Sequence, residues 1–142
     1  MEINLIIPAA GMSSRFNSGK PKWLRTHPDG KLMIEHAIDA LVGSNYIINT
    51  YVITTKFIND EFNASKILRD TPIEKLKLII LKKETKSAVE TILTGISSLG
   101  DEFNYNCFTI LKDSDNFVKL KLNKDILNSN FTVGCDLNTT NV

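Results

Sequence analysis

The sequence predicts an α/β domain in which a largely parallel sheet is covered by helices on both faces. Compact apolar runs recur at 3–9, 50–54, 76–82 and 107–111, with the composition of strands buried on both sides. Segments with helical spacing fall between them at 32–43, 56–69 and 85–99. Such alternation builds βαβ units, which pair their strands in parallel. The 142 residues contain no internal repeat and no linker, so residues 1–142 are expected to form one domain.

The first run, "INLIIPA", is rich in Ile and Leu, and Pro8 should end it because proline brings no ladder donor. Residues 10–31 carry Gly11, Gly19, Pro21, Pro28 and Gly30, which predicts a long loop. Over 32–43, Leu32, Ile34, Ala37, Ile38 and Leu41 sit near helical spacing, with Gly43 as a natural stop. "TYVIT" at 50–54 is β-branched and aromatic, hence a strand, and 56–69 is a helix. "LKLIILK" at 76–82 is the third strand. The helix over 85–99 is expected to start at a threonine cap, Thr85, and aligns Ala88, Ile92, Ile96 and Leu99. "CFTIL" at 107–111 is the fourth strand, followed by the acidic turn "KDSDN"; further short strands are expected at 117–121 and 131–136.

Composition narrows the function. Seventeen basic and sixteen acidic residues leave a net charge of +1, without the footprint of a nucleic-acid or membrane binder. Any anion site must be local. Cys107 and Cys135 lie in separate apolar stretches, as buried free thiols do. The N-terminus lacks the basic start of a signal peptide, and no run reaches the ~18–20 apolar residues of a membrane span, so the cytoplasm is the expected compartment. His27 and His36 show no partner pattern in the sequence.

Ligands of parallel sheets bind beyond the carboxyl ends of the strands, where two loops here carry chemistry. From Ala9 to Arg15 the side chains are small, which lets backbone N–H groups approach an anion, and Lys20, Lys22 and Arg25 follow. The Arg15 guanidinium suits phosphate oxygens. Neither common phosphate loop fits. A P-loop requires glycine where Ser14 stands and Ser or Thr where Pro21 stands, and Gly11-Met12-Ser13 breaks the dinucleotide fingerprint. After the fourth strand, Asp113 and Asp115 at i and i+2 suit Mg²⁺, which takes one or two carboxylates alongside phosphates. A solvated turn would use the same residues. Thr85 and Ser87, at a helix start, are a third candidate contact. No serine or cysteine triad is evident.

"IPAAGMSSRF" followed by "KPKWL" and "DGKLMIEHAI" resembles the N-terminal half of the nucleoside-diphospho-sugar pyrophosphorylases, the sugar-phosphate nucleotidyltransferases. "TKSAVETIL" and "FTILKDSDNF" are similar to that family's second nucleotide-contacting segment and its metal-aspartate turn, in the same order. The resemblance implies a three-layer, Rossmann-like sandwich of the nucleotide-diphosphosugar transferase type, forming the N-terminal portion of a longer enzyme. It implies transfer from an NTP, a pyrimidine one favoured, to a sugar-1-phosphate or similar small phosphate, serving capsule or surface polysaccharide synthesis. Ala9, Ala10, Gly11, Met12, Ser13 and Ser14 would line the nucleotide, and Ser87 and Ala88 would help fix the base. Arg15 would hold the leaving phosphates, Lys22 the charge at the α-phosphate, and Asp115, with Asp113 as rival, the Mg²⁺.

Leu32 stands where the family usually has proline, and Ser87 where it has glycine. Two other readings use the same residues. One is a nucleotide-binding domain of this fold without turnover, and the other is an Asp-X-Asp glycosyltransferase.

Overall fold

The computed structural model describes residues 2–12, 19–41, 46–116, 121–127 and 130. Four strands, β1 (Glu2–Pro8), β2 (Ile47–Thr55), β3 (Leu76–Leu81) and β4 (Phe108–Leu111), form one sheet in the order β3-β2-β1-β4. Every pairing is parallel, as the apolar runs predict. The chain steps outward from β1 to β2 and β3, then crosses back to place β4 on the other side of β1. This reversal opens a crevice at the carboxyl ends of β1 and β4.

Alternation along β1 divides the core. Ile3, Leu5 and Ile7 face one layer, which also buries Ile34 of α1 (Met33–Asp39), Ile58 of α2 (Lys56–Phe62) and Leu68 of α3 (Ala64–Arg69). Ile6 faces the other, with Tyr51, Ile53 and Ile79, and Leu99 from α4 (Ala88–Leu99). The sheet is thus covered on both sides, giving the three-layer α/β sandwich.

Several boundaries differ from the sequence expectation. The 56–69 helix is two helices, because Asn63 adopts a left-handed conformation (φ 54°, ψ 41°) that asparagine tolerates. Its carbonyl then accepts from the Lys66 and Ile67 N–H groups and starts α3. The helix expected over 32–43 ends at Asp39, where a tight Leu41 N–H to Ile38 carbonyl bond closes the last turn. The expected stop at Gly43 and the strands expected at 117–121 and 131–136 fall wholly or mostly outside the described residues. A single helical turn, α5 (Lys124–Leu127), follows. The long loop contains a 3-10 turn at Lys22–Leu24. Cys107 is a free thiol but only half-buried, because it precedes the edge strand β4.

Leu32 explains its own departure from proline. Its N–H donates to the Glu35 carboxylate at 2.7 Å and caps α1, a bond that proline could not make.

Gly95 sets the approach of α4 to the sheet, since a Cβ there would lie 2.5 Å from the Ile53 side chain. Gly95→Ala is expected to cost about 1–3 kcal/mol by overpacking. Urea unfolding checks this as a lower midpoint at unchanged slope.

Candidate functional site

The end of β1 decides where a ligand can meet backbone. Odd-numbered residues of β1 turn their polar groups toward β2, and the Ala9 N–H continues this by donating to the Ile53 carbonyl at 2.7 Å. Even-numbered residues turn toward β4, as the Lys112 N–H to Ile6 carbonyl bond at 3.0 Å shows. Pro8 therefore lacks its donor on the side that β4 is leaving, so no N–H is orphaned there. The Ala9 carbonyl is taken by the buried Thr54 hydroxyl at 2.9 Å. Both backbone groups of Ala9 are thus committed to the sheet, and any N–H groups offered to an anion start at Ala10.

Beyond that point lies an open cavity of about 460 Å³. Its lining includes Ala9, Ala10, Gly11 and Met12 from the first loop, and Ser114 and Asp115 from the turn after β4. Lys22, Ser87 and Ala88 also line it, so residues that the sequence marked in three separate segments meet there. Ser13, Ser14 and Arg15 lie outside the described residues. Gly11 has open space around its Cα: an added Cβ would meet nothing within 4 Å. Among the described residues the bare position therefore serves no internal packing, and it keeps the cavity floor clear.

The 3-10 turn aims Lys22. Pro21 starts it, and the adjacent Trp23 and Leu24 are buried in the first core layer, leaving Lys22 outward. The Lys22 ammonium lies 3.4 Å from the Asp115 carboxylate, joining the two loops that the sequence marked separately. Lys20 and Arg25 do not line this cavity; the Arg25 guanidinium turns back onto the Lys20 carbonyl.

The acidic turn resolves its two carboxylates. Asp113 is exposed, accepts from the Asn116 amide at 3.1 Å and does not line the cavity, whereas Asp115 does. Lys112 holds the turn closed through bonds from its ammonium to the Asn116 carbonyl and side-chain oxygen. Burial pulls this ammonium below the usual lysine range, with the charges of Asp113 and Asp115 opposing the shift. Sequence reasoning missed Lys112; its place directly after a buried strand was the available signal.

The α4 entrance corrects the expected cap. Ser87, not Thr85, caps the helix, accepting from the Glu90 N–H at 3.1 Å. Thr85 instead shares a hydroxyl bond with Thr91, and Lys86 gives its N–H to the Glu90 carboxylate. The Lys86 and Glu90 N–H groups are thus spent within the turn. Ser87 retains its hydroxyl hydrogen as a donor. Thr85, Lys86, Thr91 and Trp23 line the cavity as well, and the sequence did not mark Lys86, Thr91 or Trp23.

No known family profile matches the chain. Over 96 residues it is 32% identical to the 2-C-methyl-D-erythritol 4-phosphate cytidylyltransferase of Alteromonas mediterranea, an alignment covering 68% of this chain and 37% of that protein. Its fold is similar to that of a 4-diphosphocytidyl-2C-methyl-D-erythritol synthase (TM-score 0.54, 17% identity, 80% of this chain and 46% of the other). It is also similar to the 2-C-methyl-D-erythritol 4-phosphate cytidylyltransferase IspD of Francisella tularensis (TM-score 0.51, 15% identity, 81% and 45%). The chain spans about half or less of the length of these relatives. Among the described residues no helix is long and apolar enough to cross a membrane.

Thr54→Val should leave the Ala9 carbonyl buried without its partner, at a cost of about 1–3 kcal/mol. Chemical denaturation measures the loss. Thr54→Ser, which keeps the hydroxyl, should recover most of it.

Proposed function

We propose, for a chain similar in sequence and fold to 2-C-methyl-D-erythritol 4-phosphate cytidylyltransferases, that the cavity binds a nucleoside triphosphate for transfer of its nucleotidyl group. The observation that carries this reading is the meeting of Ala10–Met12, Lys22 and Asp115 at the crevice between β1 and β4. The relatives' names make CTP the favoured nucleotide and a small phosphorylated polyol or sugar the favoured acceptor. Capsule or surface polysaccharide, the destination implied by the sequence resemblance, gains no support from relatives named for 2-C-methyl-D-erythritol 4-phosphate.

In this reaction an acceptor phosphate oxygen forms a bond to the α-phosphorus. The bond from that phosphorus to the bridging oxygen breaks, and pyrophosphate leaves with the electron pair. The acceptor phosphate is already ionised at neutral pH, so the protein needs no general base. Its task is positioning and charge stabilisation. Backbone N–H groups from Ala10 onward approach the phosphates, the clear floor at Gly11 giving them room. Lys22 stabilises charge developing around the α-phosphate, and Arg15, by the resemblance, holds the leaving phosphates. The Ser87 hydroxyl and the neighbouring Ala88 contact the nucleoside.

Asp115 fits a magnesium site of the usual kind, with one carboxylate at the cavity wall and the remaining ligands drawn from phosphate and water. Asp113, the rival ligand, is the less favoured, since its carboxylate accepts from the Asn116 amide and does not line the cavity. Bound there, Mg²⁺ would offset phosphate charge.

Titration with CTP and the other NTPs in the presence of Mg²⁺ tests the reading, and failure to bind any of them would sink it. Lys22→Ala is expected to lower turnover of CTP and a small phosphate acceptor by about 10²–10³-fold, the range for removing one charge-stabilising donor. Pyrophosphate release measures it, and an unchanged circular dichroism spectrum shows that the fold survives. Nucleotide binding without pyrophosphate release in any acceptor screen would point to the non-catalytic domain instead.

A further inference from the structure

A second cluster lies apart from the cavity, on the turn before α1 and on α1 itself. The turn is closed by His27 N–H to Lys31 carbonyl (2.7 Å) and Gly30 N–H to His27 carbonyl (2.9 Å) bonds. Gly30 supplies the required positive φ of 90°. The turn brings Asp29 over the first half of the helix, where His36 projects from the next turn. His27 Nδ1 lies 3.2 Å from one Asp29 oxygen, and His36 Nε2 lies 2.8 Å from the other. The two imidazole rings meet edge to face with centroids 4.6 Å apart. One ligand atom from each of the three residues lies within 4.8 Å of the others. None of the three lines the nucleotide cavity.

A tetrahedral zinc site with arms of ~2.0–2.1 Å holds neighbouring nitrogen and oxygen ligands roughly 3.3 Å apart. The contacts to Asp29, one on each carboxylate oxygen, are 3.2 and 2.8 Å, so a single bound oxygen requires only that one imidazole turn toward it. The side chains are 40% (His27), 44% (Asp29) and 21% (His36) exposed, so an ion from solvent can reach them and small rotations can close the set. Imidazole nitrogens select zinc-class ions over Mg²⁺ or Ca²⁺, and three protein ligands leave one position for water. The Asp29 carboxylate also accepts the Lys31 N–H at 3.0 Å, the kind of outer hydrogen bond that orients metal-bound carboxylates.

We propose that His27, Asp29 and His36 bind a divalent zinc-class cation through His27 Nδ1, an Asp29 oxygen and His36 Nε2, fastening the turn to α1. The ion steadies the segment that begins at Lys22, since the Met33 N–H to Arg25 carbonyl bond ties the same stretch to the helix start.

Titrating metal-free protein with Co²⁺ near neutral pH tests this. One equivalent is expected to bind with a visible d–d spectrum, to be displaced by Zn²⁺, and to raise the Tm. His27→Ala and His36→Ala should each weaken binding by at least about tenfold, the scale of losses at metal sites, while Asp115→Asn leaves it unchanged. Lack of saturable binding, or a cobalt spectrum that survives the double histidine variant, overturns the proposal. Should a variant fail to fold, the unaltered protein still decides. Paramagnetic shifts of both imidazoles on Co²⁺ addition support the site, and unshifted imidazoles overturn it.

Discussion

The hydrogen bond from the Ala9 N–H to the Ile53 carbonyl is the last rung of the central ladder, and the geometry of the cavity depends on it. Up to that rung β1 is held on both sides, by seven residue pairs with β2 and four with β4. Just beyond it the chain is released at a point where β4 has already turned away. Pro8 makes the release cheap, because the backbone position that would otherwise leave an N–H facing the gap has none. The Thr54 hydroxyl then closes the Ala9 carbonyl, so the unpaired backbone starts abruptly at Ala10. A cradle built this way is rigid at its root and open at its lip. That suits a ligand whose oxygens must be placed accurately while its other end enters from solvent.

Much of this was legible in the residues. The β-branched and Leu-rich runs placed the four strands within a few residues, because strands buried on both faces leave a period-free apolar signature. The two loaded loops were legible because the reversal of strand order puts the carboxyl ends of β1 and β4 together whatever the details. Features that depend on a single side chain finding a partner were not. Thr85 and Ser87 are equally good caps by type, and only the path of the chain gave the cap to Ser87. Asn63 breaks a helix that its neighbours would continue, through a backbone conformation that composition does not announce. His27, Asp29 and His36 stand two and seven residues apart, a spacing with no meaning until the turn at Gly30 folds them together.

Charge at the cavity is local, set by a few side chains. The chain as a whole is nearly neutral, so no general field draws in anions. Among the described cations, only Lys22 and Lys86 line the cavity, while Arg25 is turned onto a carbonyl and Lys112 is drawn into the acidic turn. Selectivity in the proposed reading therefore falls on backbone N–H groups and on shape as well as on side-chain charge.

The Lys22–Asp115 pair is the point at which this economy matters most. At 3.4 Å, with each side chain more than a third exposed, the pair contributes little to stability, since exposed ion pairs contribute on the order of 0–1 kcal/mol. It is correspondingly cheap to open. A metal-bound nucleotide carries both signs, with phosphate oxygens for the ammonium and a cation for the carboxylate. Binding in the proposed mode exchanges one internal pair for two external ones, and neither residue is left as an uncompensated charge. Without ligand, the pair keeps both groups aimed across the cavity and neutralises them. A free lysine there would attract any small anion, and a free aspartate would repel the phosphates it is proposed to serve. The contact that looks like a modest surface salt bridge is thus a resting state for two groups whose proposed work is done apart.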